Sequence, residues 1–341
     1  FPLEKYAVMG FGGVLARLPA LAALERGLAR LLAGGGIDLF IPVDYPGLNL
    51  RLCRAARRRG VPVLYYISPQ VWAWGAWRMR SMRRSVDLMA VILPFEEDLY
   101  RRAGIPVVFA GHPMLGEIGV GARVKRAPAG EREPFTVMLF PGSRRGEFRR
   151  MYPALIGAAR ILHERYPAAR FLVGLAPIIP EDAAPIDADM RGQVEITRDG
   201  LAALGASALA LTISGTVTLQ TALTGTPMVV CYRTSALNYL IGKLLVRVPW
   251  IGMPNVLAGR RLVPELIQRD ATSARIADEA ARILGDPERY RSISEGLLDL
   301  RTRLGGPGGV GRIADIALRM AAGETASSAA AEAVSEERHG P

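Results

Sequence analysis

Short apolar runs alternate with helix-length segments along almost the whole chain, and that alternation leaves few folds open. In the first half, runs at 37–43, 61–67, 88–93 and 107–110 are separated by helical stretches that begin at Leu48 and cover 76–84 and 96–103. Runs that are apolar throughout, rather than at every second position, read as parallel strands buried on both faces. Parallel neighbours need a crossover connection, and the intervening helices supply it. A second series follows, with strands at 135–140, 171–175, 194–197, 208–213 and 228–232 and helices at 147–165 and 216–223. Helices at 272–284, 287–304 and 311–320 close the pattern. The fold class is therefore α/β, with two doubly wound parallel sheets.

A chain of 341 residues has the length for two such domains. The first is expected over 1–115 and the second over 135–304, with a linker rich in Gly, Ala, Arg and Pro at 116–134. A C-terminal helix at 305–320 follows. The small, polar and charged residues of 321–341 predict a disordered tail.

The net charge of +11 comes from 43 basic residues of which only three are lysine, a skew that coding composition alone can produce. Clusters such as Arg54 with Arg57, Arg58 and Arg59 read first as a solvated face, and second as a surface for anionic lipid or a phosphorylated substrate. No nucleic-acid motif accompanies the charge, so nucleic acid is not expected as a partner. Cys53 and Cys231 have no metal-type spacing and read as small buried hydrophobes, as in a reducing compartment. No apolar run reaches the roughly 18 residues of a spanning helix, and no signal-peptide layout is seen. The expected location is cytoplasmic or peripheral to a membrane.

Candidate chemistry sits where strands end. The run Tyr65-Tyr66-Ile67-Ser68-Pro69-Gln70-Val71-Trp72-Ala73-Trp74 stops at Pro69, which bars continuation into a sheet interior. Ser68, Trp72 and Trp74 thus fall at a strand's carboxyl end, where open α/β sheets bind ligands. The tryptophans either pack beneath such a site or touch sugar or acyl groups. Pro141-Gly142-Ser143-Arg144 joins a strand to a helix, placing backbone N–H groups, a helix N-terminus and a guanidinium where a diphosphate is well held. An ordinary turn with a surface arginine is the alternative. Ser214-Gly215-Thr216 repeats the device ahead of a second helix. Asp44 ends a strand before Tyr45-Pro46, where it either caps the next helix or presents its carboxylate as a base. His112, in Gly111-His112-Pro113, is either a structural hydrogen bonder or a contact for sugar or phosphate.

Taken in order with Leu93-Pro94-Phe95-Glu96 and Pro254-Asn255-Val256-Leu257-Ala258-Gly259-Arg260, these motifs resemble the lipid-A-disaccharide synthase family, from about Tyr6 to about Arg319. The resemblance implies a GT-B fold, two Rossmann-like domains facing a cleft. It implies inverting transfer of 2,3-diacylglucosamine from its UDP conjugate to 2,3-diacylglucosamine 1-phosphate, giving a β-1,6-linked disaccharide and UDP at the inner-membrane surface. A homodimer with exchanged C-terminal segments is implied as well. By motif position Asp44 becomes the general base and Gly142, Ser143 and Arg144 the diphosphate ligands. Ser214, Gly215, Thr216, Gln220 and Asn255 complete the donor site, and Ser68, Trp72 and His112 fall on the acceptor side. No cofactor and no metal is expected, because no acidic metal motif is evident and protein groups must then hold the leaving group's charge.

The chain departs from the family at three places. Gln220 stands where relatives carry a glutamate that grips the ribose hydroxyls, and it keeps hydrogen-bonding capacity without charge. Gly47 replaces a second carboxylate near Asp44, leaving Asn49 as a polar neighbour. A first strand, Gly-rich acidic loop and helix ahead of residue 7 are expected but not present in this sequence, so the N-terminal domain is expected to be incomplete. Asn255 reads equally well as a turn residue after Pro254.

Two apolar stripes, Val14, Leu15, Leu18, Leu21 and Leu24, and Tyr239, Leu240, Leu244, Leu245, Val248 and Trp250 around Lys243 and Arg247, suit either core faces or an interfacial helix that meets acyl chains. The family's lipid substrates favour interfacial use of at least one. Rival readings are an epimerase acting on UDP-N-acetylglucosamine with the same fold, and a non-catalytic nucleotide or lipid-binding homologue.

Overall fold

The computed structural model describes residues 11–117, 133–246, 248–306 and 308–338; the expected linker at 116–134 lies almost wholly outside them. The chain divides into two units, one of Phe1–Gly116, Ile241–Arg247 and Leu304–Pro341, the other of Glu117–Leu240 and Val248–Arg303.

In the first unit α1 (Phe11–Ala33) and α2 (Pro46–Arg58) precede β1 (Leu64–Tyr66), α3 (Met79–Ser85), β2 (Leu88–Val91), α4 (Pro94–Arg102), β3 (Val107–Phe109) and the short α5 (Met114–Glu117). The three strands form a parallel sheet in the order β1-β2-β3. The run expected as a strand at 37–43 lies alongside β1 but is reduced to bridges from Phe40 to Val63 and from Val43 to Tyr66. Its ladder explains why. Phe40 N–H donates to Pro62 O, Leu64 N–H to Phe40 O, Tyr66 N–H to Pro42 O and Asp44 N–H to Tyr66 O. The absent rung between them falls to Pro42, which has no N–H to give. One sheet face, carrying Tyr65, Met89 and Val91, packs on Leu48, Leu52, Cys53 and Tyr100 from the helices.

The second unit runs β4 (Phe135–Phe140), α6 (Arg145–Arg165), β5 (Ala169–Gly174), β6 (Val194–Thr197), α7 (Gly200–Leu204), β7 (Leu209–Ile213), α8 (Thr216–Leu223) and β8 (Met228–Tyr232). The helix α9 (Ala236–Leu245) belongs to this unit as far as Leu240 and to the first unit from Ile241. The second unit resumes with α10 (Met253–Ala258), β9 (Glu265–Ile267), α11 (Ser273–Leu284) and α12 (Pro287–Arg303). All six strands are parallel, in the order β6-β5-β4-β7-β8-β9. The chain works outward from β4 to β6, then returns to the other side of β4 to lay down β7. That reversal creates a topological switch point between β4 and β7, where doubly wound sheets open a ligand crevice. Fully buried Val137, Leu139, Phe171, Leu211 and Val229 from the strands pack with Leu155, Ala159, Ile276 and Ala280 from α6 and α11.

Two expectations are corrected. Asn255, offered as a turn residue after Pro254, lies instead in the helix α10 (Met253–Ala258): Pro254 sits in its first turn, where the missing N–H costs nothing, and Gly259 in a left-handed conformation (φ 63°) ends it. The tail, read as disordered, is largely helical. After α13 (Gly309–Ala321) the chain forms α14 (Ala326–Arg338). Leu64, Leu88 and Ala90 on the second face of the first sheet are covered by Ile313, Ile316 and Met320 of α13, with Ala329 and Ala333 of α14 completing the cluster. A parallel strand buried on both faces needs a cover on each, and the alanines spaced four apart present a smooth stripe for close helix packing. Among the described residues no helix is long and apolar enough to cross a membrane.

Candidate functional site

The switch point of the second unit holds a pocket of about 410 Å³ lined by the carboxyl ends of β4, β5 and β7 and the first turns of α6, α7 and α8. Gly142, Ser143, Arg144, Ser214, Gly215, Thr216 and Gln220 all line it, so most of the expected donor-side residues come together. Gly142 takes φ 119°, and a Cβ there would meet Ile213 Cδ1 at 2.9 Å and Glu147 Cβ at 3.0 Å. Gly215 takes φ 153° with ψ −166°, a region essentially reserved for glycine. Both glycines therefore let the backbone turn sharply from strand into helix.

Two helices begin at this pocket. The first turn of α6 closes with Phe148 N–H donating to Arg144 O, which leaves the N–H groups of Arg145, Gly146 and Glu147 without an intrahelical acceptor. In α8 the corresponding first bond is Thr218 N–H to Gly215 O. Each end carries a partial positive charge suited to an anion. Arg144 Nη1 donates to Glu147 Oε1 at 2.7 Å. The other pocket cation is committed to the protein: Arg198 Nη1 donates to Ala176 O and Ile179 O, both at 2.9 Å. Ser214 Oγ donates to Ile251 O at 2.7 Å, which pins the 250–252 turn and leaves its oxygen able to accept.

Asn255 is elsewhere. It is fully buried, its amide donates to Val263 O (2.9 Å) and Glu265 Oε1 (2.7 Å), and its oxygen accepts from Leu262 N (2.7 Å) and Val263 N (2.9 Å). With its donors and acceptor engaged, it organises the return from α10 to β9 from within the helix's first turn, a structural role that neither the turn reading nor the ligand reading describes.

In the first unit the motif residues lie along the carboxyl edge of the sheet, and the backbone there is strained. Asp44 (φ 44°), Tyr45 (φ 43°) and Ile67 (φ 58°) all adopt left-handed conformations, each costing about 1–3 kcal/mol for a side chain other than glycine. Tyr65 OH donates to Asp44 O at 2.5 Å and Asn49 Nδ2 to the same oxygen at 2.7 Å. Asn49 therefore grips the Asp44 backbone rather than its carboxylate. That carboxylate is exposed, with no hydrogen bond or ion pair among the described residues.

Ser68 and Trp72 converge on a residue that motif reading quoted without a role, Glu96. Its Oε1 accepts from Ser68 Oγ (2.7 Å) and Trp72 Nε1 (3.1 Å), and its Oε2 from Leu93 N (3.2 Å). The hydrogen bonds oppose ionisation loss only partly, and burial pushes the Glu96 carboxyl from 4.5 up to about 7. His112 is buried too. Its Nδ1 accepts from Met114 N at 3.3 Å, opening α5, and burial pushes it from 6.5 down to about 4.

These two groups oppose one another in pH dependence. Stability from Glu96, raised in the fold, is present below 4.5 and is lost as pH rises toward 7; stability from His112, lowered in the fold, is present above 6.5 and is lost as pH falls toward 4. Each is worth roughly 3 kcal/mol over its window. Between pH 4.5 and 6.5 they nearly cancel. Glu96→Gln, which retains an acceptor for Ser68 and Trp72, should expose the histidine alone, so that stability rises by about 2 kcal/mol across that interval. Urea unfolding followed by tryptophan fluorescence would read it, since Trp72, Trp74 and Trp77 all lie in the first unit. A variant as flat with pH as the wild type would refute the opposition.

The remaining expectations fall on α1 and the cysteines. The side chains of Val14, Leu15 and Leu18 lie outside the described ones, while Leu21 and Leu24 are buried. Cys53 and Cys231 are fully buried, and burial pushes the Cys53 thiol up to about 12. Among the described residues no group of three or more His, Cys, Asp or Glu side chains comes together.

Comparison with known proteins places these features in a family. The lipid-A-disaccharide synthetase family model matches residues 1–304. The lipid-A-disaccharide synthase of Geobacter metallireducens is 43% identical over 322 residues, 93% of this chain and 84% of that protein. Among solved structures, the UDP-GlcNAc 2-epimerase of Neisseria meningitidis bound to UDP-GlcNAc superposes with a TM-score of 0.59 at 12% identity, covering 88% of this chain and 81% of that one. The calicheamicin glycosyltransferase CalG4 does so with a TM-score of 0.58 at 14% identity, covering 93% and 84%. Identities that low speak for the shared fold alone, the two-domain α/β architecture of such glycosyltransferases and epimerases. The sequence match speaks for more: this chain belongs to the lipid-A-disaccharide synthetase family.

Proposed function

We propose that this protein is an inverting glycosyltransferase that moves 2,3-diacylglucosamine from its UDP conjugate onto the 6-hydroxyl of 2,3-diacylglucosamine 1-phosphate, forming the β-1,6-linked disaccharide of lipid A and UDP. The observation that carries the assignment of roles is the pocket at the β4/β7 switch point, where two helix N-termini and Arg144 meet around a space sized for a nucleoside diphosphate. The acceptor oxygen attacks the anomeric carbon as the bond from that carbon to the diphosphate oxygen breaks. Asp44 takes the proton of the acceptor hydroxyl. Arg144, with the free N–H groups that open α6 and α8, holds the charge that develops on UDP. Gln220, one turn into α8, hydrogen-bonds the ribose hydroxyls in place of a carboxylate.

Both substrates carry acyl chains, so the reaction belongs at the cytoplasmic face of the inner membrane with the enzyme bound peripherally. The family resemblance extends the proposal to a homodimer, which sedimentation would test. Incubating purified protein with both diacylated substrates should yield disaccharide and UDP in equal amounts by mass spectrometry. Epimerised UDP-N-acetylhexosamine from UDP-N-acetylglucosamine would support the rival enzyme. Tight UDP binding without disaccharide would reduce the protein to a binder.

A further inference from the structure

In the first unit, the turn between β1 and α3 holds an arginine whose donors the protein leaves unused. Trp74 and Trp77 meet edge-on, with ring centroids 6.4 Å apart and planes at 69°, and form a corner. The Arg78 guanidinium carbon lies in that corner, 4.2 Å from the Trp74 centroid and 5.1 Å from the Trp77 centroid. Gly75 makes the seat possible: it takes φ 83°, and a Cβ there would overlap Arg78 Nη1. Packing within the unit leaves both tryptophans exposed, Trp77 by 67%.

An arginine with a purely structural task commits its donors to the protein, as Arg312 does when Nε and Nη2 both donate to Ala110 O. Arg78 differs. Among the described residues its guanidinium makes no hydrogen bond and no ion pair. Stacking engages the face of a guanidinium and leaves its in-plane N–H donors for something else. The two cation–π contacts already fix the side chain, so little rotamer freedom remains to be lost when an anion binds. Burial against the indoles lowers the pKa of Arg78 from its usual value, which a bound anion would reverse.

The corner stands at the sheet edge that carries Asp44. It follows the end of β1, and the Tyr65 hydroxyl, near enough to act on the charge of Arg78, donates to Asp44 O. Between Asp44 and Asp87 the sequence has no aspartate or glutamate, so no carboxylate of that stretch competes for the guanidinium. An exposed indole beside a free guanidinium edge suits a phosphorylated sugar: the aromatic surface covers the ring's apolar face and the arginine grips the phosphate through two N–H groups.

We propose that Arg78, seated by Trp74, Trp77 and Gly75, binds the 1-phosphate of the acceptor sugar and so sets the 6-hydroxyl before Asp44. The inference rests on the reading of this protein as a transferase with a phosphorylated acceptor. On a pyranose, C1 and the carbon that bears the 6-hydroxymethyl group both flank the ring oxygen, so holding the phosphate also confines the hydroxyl.

The test compares 2,3-diacylglucosamine 1-phosphate with the same sugar lacking its phosphate, in binding read by tryptophan quenching in non-ionic micelles and in turnover. Wild type should bind the phosphorylated sugar about ten- to a hundredfold more tightly. Arg78→Gln should abolish that preference, acting on KM more than on kcat, while UDP affinity and the urea midpoint stay close to wild type. Arg78→Lys should restore part of it. Gly75→Ala, with the arginine kept but its seat filled, should lower it too. An arginine that only stabilises the turn would weaken both sugars alike, so a preference unchanged in Arg78→Gln overturns the proposal, as does a wild type that binds the two equally. Preference that depends on Arg78 without any turnover would uphold the phosphate site and refute the transferase reading; turnover with an unchanged preference would do the reverse.

Discussion

Asp44→Asn should lower kcat by about 10²–10⁴ while leaving the affinity for UDP unchanged. The substitution keeps the size of the side chain and one of its oxygens, and removes only the ability to accept a proton near neutral pH. The backbone that aims the side chain is held independently of the carboxylate, through Tyr65 OH and Asn49 Nδ2 on Asp44 O and through Asp44 N–H on Tyr66 O. Asparagine tolerates the left-handed conformation at least as well as aspartate, so the fold has no reason to change. Two consecutive left-handed residues at a strand tip are costly, and such strain persists where surrounding contacts over-determine it, often at functional positions. Activity within tenfold of wild type would move the base elsewhere, and a parallel loss of UDP binding would indicate a folding defect instead.

How far the sequence alone reaches can be judged element by element. The bounds of β4, β6, α8 and β8 coincide with expectation because each is a short run closed by a glycine, a proline or a capping residue. The 37–43 run satisfied the same pattern and yet lost a rung, since hydrophobicity reports burial while the ladder depends on the N–H that Pro42 lacks. The tail was misread for the opposite reason. Its alanines look undemanding in composition, but Ala329 and Ala333 find a stripe-shaped partner only because the sheet has a second face to cover, which is a tertiary fact.

Within the candidate site, Arg144 and Gly142 were legible because a strand-to-helix turn has a local signature. Glu96 was not, because its meaning lies in Ser68 and Trp72, 28 and 24 residues away. Asn255 shows the limit from the other side: its motif suggested a ligand contact, and only the four hydrogen bonds it makes reveal a structural role. The left-handed Tyr45 and Ile67 carried no sequence signal at all, since nothing in those residue types asks for that conformation.

Arg144→Ala should reduce kcat/KM by about 10²–10³, the loss found when one donor to a developing negative charge is removed. The pocket's other guanidinium cannot substitute, because Arg198 spends its Nη1 on the carbonyls of Ala176 and Ile179. The helix N-termini remain and should preserve residual activity. UDP affinity should fall about tenfold or more, as expected for a charge-assisted hydrogen bond, whereas uridine affinity should stay put, because the nucleoside lacks the group that Arg144 meets. Glu147 sharpens the test. It accepts from Arg144 at 2.7 Å, so a diphosphate must draw the guanidinium away from it or share it. Glu147→Gln weakens that competition and removes a negative charge from the anion's surroundings, and UDP should bind a few-fold more tightly. Arg144→Lys should restore part of the activity through charge but not all, since an ammonium cannot reproduce the two-pronged contact. Equal losses for UDP and uridine in Arg144→Ala would mean that the arginine shapes the pocket rather than holding phosphate, and the leaving group's charge would then fall to the α6 and α8 N-termini alone.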